Sequence, residues 1–354
     1  MSTQQHTFHY QQEFKLESGF SLPGFQLAYT TYGQLNLQRN NVVWVCHALT
    51  GNAEVTDWWG GLFGEGKLYD PEEWFIVCAN MLGGCYGSTG PLSINPNTLK
   101  PYFHSFPQLT NRDIIGAFDL LRQELELEQV HTLIGGSLGG QQALEWALQK
   151  PDVFARLVHV ASNARHSAWG IAFNESQRMA IRQDPTWASN SETAGREGLK
   201  TARSIAMLSY RHYISYNLSQ QEPGNSITDN YRASSYQVYQ GDKLAKRFNA
   251  YTYWLLTKAM DSHNIGRGRG GVEKALLHLK AKALFVGVNT DLLFPVEEQQ
   301  FLNQQVPGSA FALLHSNYGH DGFLVETEQL TEAIRKFYKS ETVNQPYYYE
   351  KQTV

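Results

Sequence analysis

The chain reads as an α/β protein: a mostly parallel central sheet interrupted by one long helical segment. Three observations carry that reading. Short apolar, β-branched runs recur at residues 41–46, 74–78, 130–134, 157–161 and 283–288. Helical stretches separate several of them, and strands apolar along their whole length are the kind buried on both faces. The rhythm stops between residues 163 and 275, a stretch rich in Trp and Tyr, and resumes at 283.

Taken in order, residues 9–33 alternate loosely around Gly19 and Pro23-Gly24, the pattern of edge strands or hairpins. NVVWVC at 41–46 is the strongest early strand. It ends in His47-Ala48-Leu49-Thr50-Gly51, where glycine permits a tight change of direction. WFIVC at 74–78 leads into the glycine-rich NMLGGCYGSTGP. The run at 130–134 feeds GGSLGG, and QQALEWALQ then reads as helix, with Leu144 and Leu148 on one face and Pro151 as its stop. Segment 163–275 carries Trp169, Trp187, Tyr210, Tyr253 and Trp254 among helical stretches such as EGLKTARSIAMLSYRHY. The domain reading is a core formed by 1–162 and 276–354, with 163–275 inserted as a helical lid.

Composition narrows the function classes. At 354 residues, 42% hydrophobic and 18% charged, the chain buries a core without staples. Its 29 basic against 33 acidic residues argue against a general electrostatic grip on nucleic acid or membrane, while leaving room for a local patch. An aromatic content of 13% argues against bulk disorder. No run approaches the ~18 to 20 apolar residues of a membrane span, and the first residues lack the layout of an export signal. Cys46, Cys78 and Cys85 do not suggest a disulfide framework. A soluble, cytoplasmic protein is the expectation.

The chemistry concentrates at Gly135-Gly136-Ser137-Leu138-Gly139, which satisfies G-x-S-x-G between a strand and a helix. A serine on so sharp a turn leaves no room for side chains beside it, points Oγ outward, and aims the next N–H, that of Leu138, at developing negative charge. Such a serine needs a base and an orienting acid, in the chain order Ser, Asp or Glu, His. Asp291 lies just beyond a strand end in FVGVNTDLLFP, and His320 in the Gly-flanked loop of HSNYGHDGFL. Asp291 also reads as the N-cap of VEEQQFL, and His320, like His315, as a satisfied loop histidine. Leu49 in CHALTG is the best second oxyanion donor, and His47 an orienting or packing residue. LGGCYGSTGP lacks the lysine of a phosphate loop and the dinucleotide fingerprint, so it reads as a rigid pocket floor. Cys85 has no partners at metal-ligand spacing. GRGRGG at 266–271 reads as a solvated loop or, less simply, a polyanion contact.

CHALTGNA, ANMLGGCYGSTGPLSINP, GGSLGGQQALEWA, SNARHSAWGIAFNESQRMAI, YQGDKLAKRFNAYTYWLLTKAMD and YGHDGFLVE together resemble the homoserine O-acetyltransferase family over residues 10–340. The resemblance implies an α/β-hydrolase fold with a helical lid, and dimers that meet through the lid helices. It also implies transfer of an acetyl group from acetyl-CoA to the homoserine hydroxyl, with no tightly bound cofactor. Close relatives use succinyl-CoA, or serine as acceptor. Carried over by motif, the nucleophile falls on Ser137, the acid on Asp291, the base on His320 and the oxyanion donors on Leu49 and Leu138. Arg203 falls on the acceptor-carboxylate arginine, Tyr210 on the tyrosine seven residues later, and Asp321 on the residue that holds the acceptor ammonium. Many members carry methionine where Leu138 and Gln141 stand.

Overall fold

Eight strands, β1 (Thr3–Tyr10), β2 (Phe25–Tyr32), β3 (Val42–Cys46), β4 (Phe75–Ala79), β5 (Thr132–Gly136), β6 (Arg156–Val160), β7 (Lys282–Val288) and β8 (Ala310–Leu314), form the central sheet. Their spatial order is β1-β2-β4-β3-β5-β6-β7-β8 in a computed structural model that describes residues 3–340. β2 runs antiparallel to both β1 and β4, and every later pairing is parallel. The principal helices are α1 (Asn111–Glu124), α2 (Leu138–Gln149), α3 (Ala168–Arg182), α4 (Arg196–Tyr210), α5 (Tyr213–Gln220), α6 (Arg232–Ala245), α7 (Ala250–Asp261), α8 (Val296–Gln305) and α9 (Thr327–Lys339).

The sheet is buried on both faces because its strands alternate between two apolar layers. Val43 and Val45 of β3 join Ile134, Val158 and Val286 and the α9 stripe Leu330, Ile334 and Phe337. Trp44 and Cys46 turn the other way, toward Leu133, Phe118 of α1 and Trp146 of α2. There the Trp44 and Trp146 rings meet edge to face at 5.0 Å. α1 starts where Thr110 and Asp113 form a reciprocal capping box.

Each of the five sequence-read strands is present within one or two residues of its expected place. α2 starts at Leu138 rather than 141, because its first turn contains Gly139 and Gly140, residues that mask a helix in sequence. β8 was not anticipated. Its five residues, AFALL, are too short for periodicity to separate strand from helix.

Between β6 and β7 the chain forms α3 to α7 and a short helix, Val272–Leu276. α7 lies on the glycine-rich loop: a Cβ at Gly83 would meet Leu255 at 2.7 Å and Leu109 at 2.8 Å. The GRGRGG loop faces solvent at Arg267, Gly268 and Gly270, but its arginines are paired within the chain. Arg267 pairs with Glu17 at 2.7 Å, while Arg269 at 2.7 Å and Arg112 at 3.0 Å flank Glu145. Glu145 has a side chain 2% exposed. A lone charge so buried costs several kcal/mol, which is why two guanidinium groups are held on it.

Candidate active site

Ser137 sits between β5 and α2 with φ 58° and ψ −127°, a strained backbone for a non-glycine residue. The neighbours make that turn possible by having no side chains. A Cβ on Gly135 would fall 2.2 Å from Gly139 O, and one on Gly139 2.0 Å from Cys46 O. The elbow therefore packs backbone against backbone on the end of β3.

Asp291 is not the N-cap of α8; Pro295 is. One Asp291 oxygen, Oδ1, accepts from the N–H groups of Leu293 at 2.8 Å and Phe294 at 2.9 Å. Oδ2 lies 2.7 Å from His320 Nδ1, so the imidazole is oriented by a carboxylate that its own loop holds still. His320 is 3% exposed and walled by Phe294, Phe323 and Tyr210, with ring centroids at 5.2, 5.3 and 5.8 Å. Phe323 also touches the elbow, since a Cβ on Gly136 would meet its ring at 2.5 Å. Ser137 Oγ and His320 Nε2 have no hydrogen-bond partner among the described residues, each left unspent.

The loop that follows β3 has an internal logic. Ala48 O accepts from Gly51 N at 2.9 Å and from His47 Nδ1 at 2.8 Å. In a trans peptide the carbonyl and the N–H point opposite ways, so fixing Ala48 O fixes the direction of the Leu49 N–H. That N–H and the Leu138 N–H, which opens α2, donate to no acceptor among the described residues. The Met81 N–H donates to His47 Nε2 at 3.3 Å, which assigns the other ring proton to Nδ1. Burial pushes the His47 pKa down to about 4, and the ring stays neutral. The sequence leaves His47 as an orienting or packing residue; the peptide it contacts, Ala48–Leu49, is visible only in the fold.

Beside His320, α4 brings up Arg203 and Tyr210. The Arg203 guanidinium lies over the Tyr210 ring at 5.3 Å and makes no ion pair or hydrogen bond among the described residues. Asp321 lies 3.0 Å from Arg211 Nε, a charge pair rather than an aligned hydrogen bond. Arg211 went unread in sequence. Adjacency to Tyr210 was its only signal. α4 and the histidine loop touch through backbone, for a Cβ on Gly319 (φ 66°) would meet His212 N at 2.8 Å and Tyr210 O at 2.9 Å.

Burial works against the charged form of His320, but the charge and hydrogen bond of Asp291, with the charge of Asp321, outweigh it and raise its pKa. Burial likewise raises Asp321, against the lowering pull of Arg211 and Arg203. A base must be neutral to accept a proton, so a raised pKa moves the acid limb of acylation to higher pH. The pH profile for acylation of Ser137 is expected to turn down below a pKa above 6.5, the ordinary imidazole value. Asp321→Asn removes a negative charge and moves that limb to lower pH. Glu298, pushed up to about 7 by burial and the charges of Asp291 and Glu297, titrates in the same window. A limb that vanished in Glu298→Gln and ignored Asp321→Asn would transfer the assignment to Glu298.

Three further histidines are buried and neutral. Burial pushes His159, His166 and His263 down to about 3. His166 belongs to a buried polar network behind the elbow, in which Gln141 Nε2 donates to Asn163 Oδ1 at 3.0 Å and lies 3.2 Å from His166 Nδ1. Gln141, the position that departs from the family pattern, is thus a satisfied polar group. Cys46 and Cys78 are buried and Cys85 partly so, all three as free thiols. Among the described residues no cluster of His, Cys, Asp and Glu is placed to hold a metal ion, and no helix is long and apolar enough to cross a membrane.

The strand order, the elbow and the carboxylate-held histidine define an α/β hydrolase, and a family model described as alpha/beta hydrolase fold matches residues 41–327. Homoserine O-acetyltransferase of Cyclobacterium marinum is 53% identical over 334 residues, 94% of this chain and 95% of that protein. The chain belongs to the homoserine O-acetyltransferase family. Among solved structures, homoserine O-acetyltransferase from Staphylococcus aureus is 30% identical with a TM-score of 0.81, covering 97% of this chain and 98% of that one. Esterase E22 is 25% identical with a TM-score of 0.86, covering 95% and 99%.

Proposed function

We propose that the protein transfers the acetyl group of acetyl-CoA to the side-chain hydroxyl of L-homoserine through an acetyl-Ser137 intermediate, an activating step toward methionine. In this reading His320 takes the Ser137 proton as Oγ attacks the thioester carbonyl, and Asp291 holds the imidazole in the required tautomer. The Leu49 and Leu138 N–H groups receive the oxyanion. The tetrahedral intermediate collapses with loss of the coenzyme A thiolate, which takes the proton from His320. The neutral His320 then takes the proton of the homoserine hydroxyl as its oxygen attacks acetyl-Ser137, and the second tetrahedral intermediate expels Ser137 Oγ, which receives that proton from His320.

The observation that carries an amino-acid acceptor is Arg203. A half-buried guanidinium with no ion pair of its own among the described residues, over the Tyr210 ring that packs on the base, favours an anionic acceptor; Asp321, adjacent to His320 and paired with Arg211, suits its ammonium. Tyr210 lies between Arg203 and the imidazole, where it fixes the cation's position. The helices of 163–275 act as a lid that keeps water from the acyl-serine.

A serine esterase is the second reading, because an esterase builds the same acyl-serine and differs only in letting water resolve it. The proposal extends to a cytoplasmic homodimer joined through the lid. Tyr213 and Leu218 on α5 and Val238 and Tyr239 on α6, between 56% and 76% exposed, are apolar side chains that a second copy would cover. The deciding experiment is a matrix of acetyl-CoA and succinyl-CoA against homoserine and serine, following thiol release and acylated product together. Acetyl-CoA with homoserine gives the fastest product formation. Thiol release without acylated amino acid would support the esterase.

A further inference from the structure

We propose that Arg247, in the link between α6 and α7, is a positioning residue that ties the lid to the oxyanion loop and holds Leu49 in its donor geometry. The inference rests on the reading of Leu49 as an oxyanion donor and adds a residue outside the triad and the acceptor site.

Arg247 Nη1 donates to Thr50 O at 2.7 Å and to the hydroxyl of Tyr86. These contacts close a ring around the loop. Ala53 N donates to Asn80 Oδ1 at 2.8 Å, and Asn80 Nδ2 donates to Tyr86 O at 2.8 Å. The ring runs from the loop through Asn80 and Tyr86 to the lid, and back to the loop at Thr50. The Cys85 thiol also approaches Arg247 O at 3.8 Å, so the link is attached by its backbone as well as its side chain.

The loop needs such a tie. Residues 47–53 have no ladder partners. The Ala48–Leu49 peptide is held from the core side by His47 and by the turn from Gly51 N to Ala48 O. That turn contains Thr50, and Arg247 is the lid residue that fixes its carbonyl. Rotation of the Thr50–Gly51 peptide would carry the Gly51 N–H off Ala48 O, and the Leu49 N–H would lose half of its restraint. A misdirected oxyanion donor costs rate rather than substrate binding, because the full negative charge exists only in the transition state and intermediate. The lid and the oxyanion hole are thereby mechanically coupled: an arrangement of the lid that withdraws Arg247 also loosens the hole.

The test uses the full chain with Arg247→Met, which keeps an unbranched stem and removes both donated bonds, and Arg247→Lys, which keeps the charge and an ammonium donor on a shorter reach. Three quantities are measured: the burst of thiol release from acetyl-CoA, the deacylation of acetyl-Ser137 by homoserine, and the acylation burst with p-nitrophenyl acetate. Expected for Arg247→Met is a loss of about 10- to 100-fold in each of the three rates, below the full loss of an oxyanion donor. KM for acetyl-CoA and for homoserine stays within about twofold, since uniform binding is untouched. Arg247→Lys recovers part of the rate.

The p-nitrophenyl ester separates the alternatives, as it needs the hole but carries no coenzyme. A raised KM for acetyl-CoA with a normal ester burst would make Arg247 a donor-binding residue and overturn the proposal. Unchanged rates in both variants would overturn it as well. If Arg247→Met does not fold, judged by its melting temperature, the same three rates in Arg247→Lys decide, with full wild-type activity contradicting the tie. Acetyl-Ser137 is first trapped in the wild type. Failure there refutes the acyl-serine reading, whereas a trapped intermediate with normal variants refutes only the role of Arg247.

Discussion

Asp291→Asn is expected to lower acetyl transfer about 10,000-fold while the protein stays folded, the scale seen when a triad acid loses its charge. The cause is the division of labour between its two oxygens. Oδ1 accepts two loop amides, a task the asparagine Oδ1 still performs. Oδ2 faces His320 Nδ1 at 2.7 Å, and an amide NH₂ there donates to the ring instead of accepting from it. Nδ1 becomes the acceptor, the ring proton moves to Nε2, and the nitrogen that should take the Ser137 proton is blocked. Ser137→Ala removes the acyl-enzyme altogether, and Ser137→Ala combined with Asp291→Asn costs little more than the worse single change, because the residues act as one unit. Stopped-flow thiol release and near-native melting temperatures check both statements. An Asp291→Asn protein with full burst rate would remove Asp291 from the role.

Arg203→Met separates the two half-reactions. Only the second meets an amino acid, so deacylation by homoserine is expected to lose about 2 to 3 kcal/mol, roughly 100-fold in kcat/KM, while acylation by acetyl-CoA changes less than about threefold. The estimate takes the lower part of the range for a lost charge contact because Arg203 is only half-buried, and solvent screens it. Its lack of an ion pair among the described residues keeps the loss close to the acceptor contact, apart from its pull on the charge of Asp321. Equal damage to both half-reactions in a folded protein would take Arg203 out of the acceptor site.

How much of this was legible beforehand follows from the range of each interaction. β3, β4, β5, β6 and β7 are visible as apolar runs because burial on both faces acts on every residue of a strand. The elbow is visible because backbone crowding at Gly135 and Gly139 admits one residue type. Asp291 and His320 are visible through chain order alone, and their 2.7 Å approach needs the folded sheet. Arg211 and Arg247 stayed hidden, since an arginine in the 163–275 segment looks alike whether it faces water, Asp321 or Thr50 O. The ion pairs of Arg267 and Arg269 stayed hidden for the same reason: their partners, Glu17 and Glu145, lie more than a hundred residues away. Long-range polar pairing leaves no local periodicity.

The central claim, an acetyl group carried on Ser137 and handed to homoserine, is tested most directly by intact-protein and peptide mass spectrometry. The enzyme is mixed with acetyl-CoA alone, quenched in acid, and then chased with L-homoserine in a parallel sample. The account predicts one added acetyl group, confined to the peptide bearing Ser137, absent from Ser137→Ala, and discharged within one turnover as O-acetylhomoserine appears. No acetyl-enzyme under rapid quench, with initial-rate lines that intersect, would contradict it.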